Sequence, residues 1–77
     1  MEISLLDLRS GKKAKLKRLD GGIEFQNKLA SLNIRIGKTI KMIISQPLRG
    51  PVVIEIDGRR ITIGRGMAMK IFVEAEK

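Results

Sequence analysis

Leu5 and Leu8 stand one helical turn apart near the start of the chain. Ser4 precedes them and Asp7 follows three residues later, in the spacing of a capping box. Gly11 ends this element. Over residues 12–19 the period becomes two: Ala14 and Leu16 take one face of a strand, and Lys13, Lys15 and Lys17 take the other. Leu19 falls out of that count by one position. This predicts a bulge or a strand end ahead of the Asp20-Gly21-Gly22 turn. Over 23–32 the spacing lengthens again, with Phe25, Leu29 and Leu32 at i, i+4 and i+7, the apolar stripe of a short helix. Asn33 suits the left-handed position that closes such a helix, and Ile34 would tuck back onto it.

The remaining segments read as strands. Ile40, Met42 and Ile44 alternate with Thr39, Lys41 and Ile43, so the first three are expected to point inward. Residues 46–51 form a loop, because its two prolines cannot donate to a ladder. Val52, Ile54 and Ile56 alternate with Val53 and Glu55, and Asp57-Gly58 is a two-residue hairpin turn. That loop length sets Glu55 opposite Arg60 and Ile54 opposite Ile61, both favourable pairs. Gly64-Arg65-Gly66-Met67-Ala68-Met69 is a single turn at a corner. Ile71, Val73 and Ala75 form the last strand, with Phe72 on its other face. A mainly β fold follows: five strands, with a helical insertion between the first and second, closing into a small barrel and removing the sheet edges.

With 77 residues the chain makes one domain, 1–77, which buries only about 60% of its unfolded surface. No apolar run approaches a membrane span, and the N-terminus is too acidic for a secretory signal, so a cytoplasmic protein is expected. Sixteen Lys and Arg against eight Asp and Glu give a net charge of +8. Arg9, Lys12, Lys13, Lys15, Lys17 and Arg18 fall in one short stretch without a carboxylate, a row suited to an acidic protein face, a phosphate backbone or an anionic leaflet.

Catalytic chemistry is sparse. The chain has no histidine and no cysteine, so the usual neutral-pH base and the thiolate nucleophile are missing, and Ser31 and Ser45 have no histidine to activate them. Glu74 and Glu76 share a strand face but read as solvated tail. Gly64-Arg65-Gly66 lacks the lysine and hydroxyl of a phosphate loop. Met42, Met67 and Met69 are expected to fill the core. Neither an enzyme nor a cofactor or metal site is expected. Only Phe25 and Phe72 are aromatic, too few for base stacking or for a proline-peptide groove.

The ordered motifs Leu5-x-x-Leu8-x-x-Gly11, Gly21-Gly22, Leu29-x-x-Leu32-Asn33-Ile34, Thr39-Ile40-Lys41-Met42, Pro47-Leu48-x-Gly50-Pro51-Val52, Ile61-Thr62-Ile63-Gly64 and Ala68-x-x-Ile71-x-Val73 run from end to end. Together they resemble the ferrous-iron transport protein A family, the FeoA-like domain. Asn33 stands where that family usually carries Gly. The resemblance implies an SH3-like barrel and a cytoplasmic accessory protein of a membrane ferrous-iron transporter with a GTPase domain. It also implies kinship with the C-terminal barrel of iron-dependent repressors. The residues expected to bind the partner are the outward Phe72, Val53 and Ile43 together with Lys13, Lys15, Lys17 and Arg18. A homo-oligomer built on the apolar members and a basic nucleic-acid-binding barrel are the other readings of the same surface.

Overall fold

The computed structural model describes residues 1–45 and 50–75. Its elements are β1 (Glu2–Ser4), a 3₁₀ turn (Leu5–Asp7), β2 (Lys13–Leu19), α1 (Ile23–Ser31), β3 (Thr39–Ile44), β4 (Val52–Ile56), β5 (Arg59–Ile63), a short α2 (Arg65–Ala68) and β6 (Ile71–Ala75). The six strands form one antiparallel sheet in the order β1-β6-β2-β3-β4-β5. The mainly β architecture with its helical insertion is as the pattern predicts, with two differences. A short strand precedes the five expected, and the order leaves β1 and β5 as unpaired ends, so the sheet is not closed by hydrogen bonds among the described strands. The loop expected over 46–51 falls mostly outside the described residues.

The N-terminal segment contains less helix than its leucine spacing suggests. Ser4 Oγ accepts from the Leu6 N–H at 3.2 Å, so the cap is real, but it starts a 3₁₀ turn that drives Leu5 and Leu8 into the core. Residues 2–4 pair with β6, a partner seventy positions away in the chain and invisible to local periodicity.

One face of the sheet carries the core. Ala14, Leu16, Ile40, Met42, Ile54 and Val73 are all buried, and among the described residues no polar or charged residue is buried with them. α1 covers this face through Leu29, its only fully buried residue, with Phe25 and Leu32 packed at the margin. The helix starts over Gly21, where a Cβ would run into the Phe25 ring. It ends in a Schellman arrangement. Asn33 takes φ 65° and donates its N–H to Ala30 O at 2.9 Å, and Ile34 N–H reaches Leu29 O at 2.9 Å. Ile34 is buried, as expected. The Asn33 amide and Lys38 Nζ both donate to Asp57 Oδ2, the latter at 2.8 Å, tying the helix end to the β4–β5 turn.

That turn has φ 52° at Asp57 and φ 77° at Gly58, the two positive values of a type I′ hairpin. Glu55 pairs with Arg60 and Ile54 with Ile61, the register its loop length requires.

Two bulges interrupt the ladders. The first lies between Leu16 and Arg18 on β2, where Leu19 lost count, and it sends Arg18 outward while Leu19 pairs with Ile71. The second lies between Met42 and Ile44 on β3, and it reverses the expectation for Ile44. That residue is 48% exposed and pairs with outward Val53 instead of entering the core. Met69 is likewise 54% exposed and not core-filling, because Ala68 is the buried position of α2 and Met69 lies just past its end. Met42 is buried and Met67 half-buried.

Because α1 is fixed by a single fully buried side chain, Leu29→Ala is expected to lower the unfolding free energy by about 3 kcal/mol. Urea denaturation measures this, and a loss under about 1 kcal/mol would contradict the packing described.

Candidate functional site: the outer face of the sheet

The face opposite the core collects the outward positions of every long strand. Cross-strand pairing brings them into rows. Phe72 lies between Ser4 and Arg18, Glu74 between Glu2 and Lys15, and Lys13 beside Lys41, which faces Glu55 and then Arg60. Lys13, Lys15, Lys17 and Arg18 are all exposed, as predicted, while Phe72, Val53 and Ile43 are half-buried.

These seven residues share one face but form two groups. Around β6 and β2, the Arg18 guanidinium sits 4.1 Å from the centre of the Phe72 ring, and its Nε is 3.1 Å from Glu2 Oε1. Lys17 Nζ approaches Glu74 Oε2 at 3.7 Å. Phe72 is therefore roofed by Arg18 and is not a bare apolar knob. The roof is weak. An exposed cation–π contact contributes about 0.5–1 kcal/mol and a surface ion pair about 0–1 kcal/mol, so an incoming carboxylate can redirect Arg18 at little cost. The second group lies across β3 and β4. There Ile43 sits at the bulge and Ile44 and Val53 face each other, making a small apolar patch. Lys13 and Lys41 stand between the groups as a like-charge cross-strand pair, an arrangement that destabilises a sheet slightly unless an anion faces it.

Sequence reasoning missed four members of this face: Glu2, Ser4, Lys41 and Ile44. Lys41 could have been found from its alternation. The consecutive Ile43-Ile44 pair marks where parity can break, but the break itself depends on β4.

Other chemistry is limited. Among the described residues no group of three His, Cys, Asp or Glu could hold a metal ion. Glu74 is engaged by Lys17, and Glu76 lies outside the described residues. The hydroxyls serve structure: Ser31 Oγ donates to Lys28 O at 2.6 Å, and Ser10 Oγ accepts from the Ser45 N–H at 3.1 Å. On the core side, a groove of about 260 Å³ runs between α1 and the end of β2, lined by Leu19, Ala30, Ile34 and Ile36 with Arg35 beside them. That is below the range of most small-molecule pockets and suits a single side chain. No helix among the described residues is long and apolar enough to cross a membrane.

A sheet with a helical insertion, one apolar face and one basic face defines a class of small binding modules. Within it, the FeoA domain family model matches residues 3–75, and the chain belongs to that family. It is similar to a protein of Methanocaldococcus jannaschii named "Putative Fe(2+) transport protein A", at 42% identity over 86% of this chain and 78% of that one. The crystal structure of an Iron Uptake Regulatory Protein (FeoA) superimposes with a TM-score of 0.91 at 32% identity, covering 99% of this chain and 100% of the other. A manganese-dependent transcriptional repressor matches with a TM-score of 0.87 at 20% identity, a likeness of fold alone, and this chain spans 42% of it.

The β3 bulge makes opposite demands on the positions at its two ends. Ile44→Lys is expected to change stability by no more than about 0.5 kcal/mol, as at other surface sites. Met42→Lys, two residues away and fully buried, should prevent folding, because an unpaired ammonium cannot be buried there. Circular dichroism and thermal melts of the pair decide it, and equal damage from both would place Ile44 inside.

Proposed function

We propose that this protein is a non-catalytic accessory and regulatory protein of ferrous-iron transport. In this reading it docks its outer sheet face on a membrane iron transporter that carries a cytoplasmic GTPase domain, and it works in the cytoplasm beside it. Membership of the FeoA domain family carries the reading, and the iron-transport name of its M. jannaschii relative supports it. The outer face suits such contact: aromatic, aliphatic and cationic groups interleave on a rigid sheet, the mixture found where interfaces concentrate their binding energy. Iron is the transporter's cargo in this reading, and this chain acts through contact with the transporter.

Within that face, Phe72, Val53 and Ile43 supply apolar contact, and Lys13, Lys15, Lys17 and Arg18 draw in an acidic partner surface. Charge of this kind acts mainly on the encounter rate, and the buried apolar contact sets the lifetime of the complex. A second reading, a regulatory barrel related to the C-terminal domain of iron-dependent repressors, takes support from the likeness of fold to a manganese-dependent transcriptional repressor.

The test is retention of the tagged protein on membranes containing the transporter, with and without guanine nucleotide. Lys13→Ala combined with Lys15→Ala should slow association several-fold, roughly three- to tenfold at low salt, and the difference should vanish near 0.5 M salt. Phe72→Ala should shorten the lifetime about tenfold, as loss of an aromatic anchor does. Unchanged kinetics in both variants would remove this face from the interaction.

A further inference from the structure

Among the described residues β5 has one free edge, at the margin of the outer face. β5 pairs with β4 on one side only and ends the strand order. The two-residue turn makes Ile56 and Arg59 the hydrogen-bonded pair that closes the hairpin. Pairs then alternate, so the N–H and C=O groups of Arg59, Ile61 and Ile63 face β4, and those of Arg60 and Thr62 face away. Among the described residues no other element supplies a backbone hydrogen bond to Arg60 or Thr62. The edge is neither bulged nor interrupted by proline, two of the common devices that blunt exposed strands.

Side chains along this edge specify what could pair with it. Arg59 and Arg60 are consecutive, so they project to opposite faces of the sheet, and both are exposed. Neither forms an ion pair among the described residues, Arg60 lying opposite Glu55 without a salt bridge to it. Ile61, next along, is half-buried against the core. We infer that β5 adds an extended segment of a partner protein as a seventh, antiparallel strand, and that this segment carries an aliphatic residue followed by two adjacent acidic residues. In that register the aliphatic side chain covers Ile61, and the two carboxylates, one on each face, meet Arg60 and Arg59. Main-chain hydrogen bonds to Arg60 and Thr62 supply affinity, and the charge pattern supplies choice of partner.

A second copy of this chain does not meet the requirement. The chain contains no two adjacent acidic residues to meet Arg60 and Arg59, and two β5 edges paired about Arg60 would oppose arginine to arginine. The arginines thus favour an acidic strand over a second β5 edge.

Amide hydrogen exchange read by NMR tests this directly. The probe is the peptide acetyl-Val-Thr-Ile-Asp-Glu-Thr-amide. In the free protein the Arg60 and Thr62 amides should exchange fast and those of Ile61 and Ile63 slowly. Saturating peptide should slow Arg60 and Thr62 by about tenfold or more while leaving Ile61 and Ile63 unchanged. The same peptide N-methylated at its first Thr and its Asp keeps the charge but lacks the two donors, and it should give no protection. The double variant Arg59→Glu, Arg60→Glu should lose the acidic peptide and gain a Lys-Lys counterpart, with slow exchange at Ile61 and Ile63 showing that its hairpin is intact. Binding that leaves Arg60 and Thr62 unprotected, or that survives N-methylation, would mean attraction of charge alone and would overturn the inference. So would failure of the acidic peptide to bind at all.

Discussion

The bulge at Lys17 decides what the rest of this sheet can be. Strict alternation from Ala14 and Leu16 would carry Arg18 into the core, and an unpaired guanidinium there would cost several kcal/mol, a large share of the stability of a domain this small. One extra residue in β2 turns Arg18 outward and brings Leu19 back against Ile71. From that point the two faces stay separate: among the described residues the buried side chains are all apolar and lie on or against one face, and lysine, arginine and a few carboxylates occupy the other. The basic face is therefore a by-product of keeping the core dry as much as a feature in its own right.

The same bulge sets the geometry of the proposed docking face. It places Arg18 directly over Phe72 and within reach of Glu2, so that the aromatic ring, its cation and the nearby carboxylate come from three different strands. The second bulge, on β3, moves Ile44 beside Val53 and creates an apolar patch on an otherwise polar surface. The sheet thus presents two kinds of contact, separated by the Lys13–Lys41 pair. Such a surface offers shape and charge and not reactive groups, since the chain has no histidine or cysteine.

Legibility followed the strength of the local penalty. The hairpin register was readable because Asp57-Gly58 allows few alternatives, and Asn33 was readable because few residues tolerate its backbone. The β2 irregularity was readable, as a bulge or a strand end, because Leu19 falls out of the alternation set by Ala14 and Leu16. The β3 bulge was not, since Ile43 and Ile44 are equally apolar and either could face inward; only pairing with β4 chooses between them. β1 was hidden for a related reason. Three residues carry no usable period, and they become a strand only by pairing with β6, far along the chain. The open edges followed from that, because a five-strand count suggested closure. Of the site, the lysine row was legible by alternation, but the roof over Phe72 joins residues 18 and 72 and could not be seen locally.

The claim that most needs testing is that this protein acts through the basic face of its sheet. Backbone chemical-shift mapping of the labelled protein, titrated with the isolated cytoplasmic GTPase domain of the proposed transporter partner, addresses it in one experiment. The largest changes are expected at Lys13, Lys15, Val53 and Phe72, with Ala30 and Ile36 on the helix side unmoved. Changes centred on Ala30 and Ile36, with the basic face silent, would contradict it.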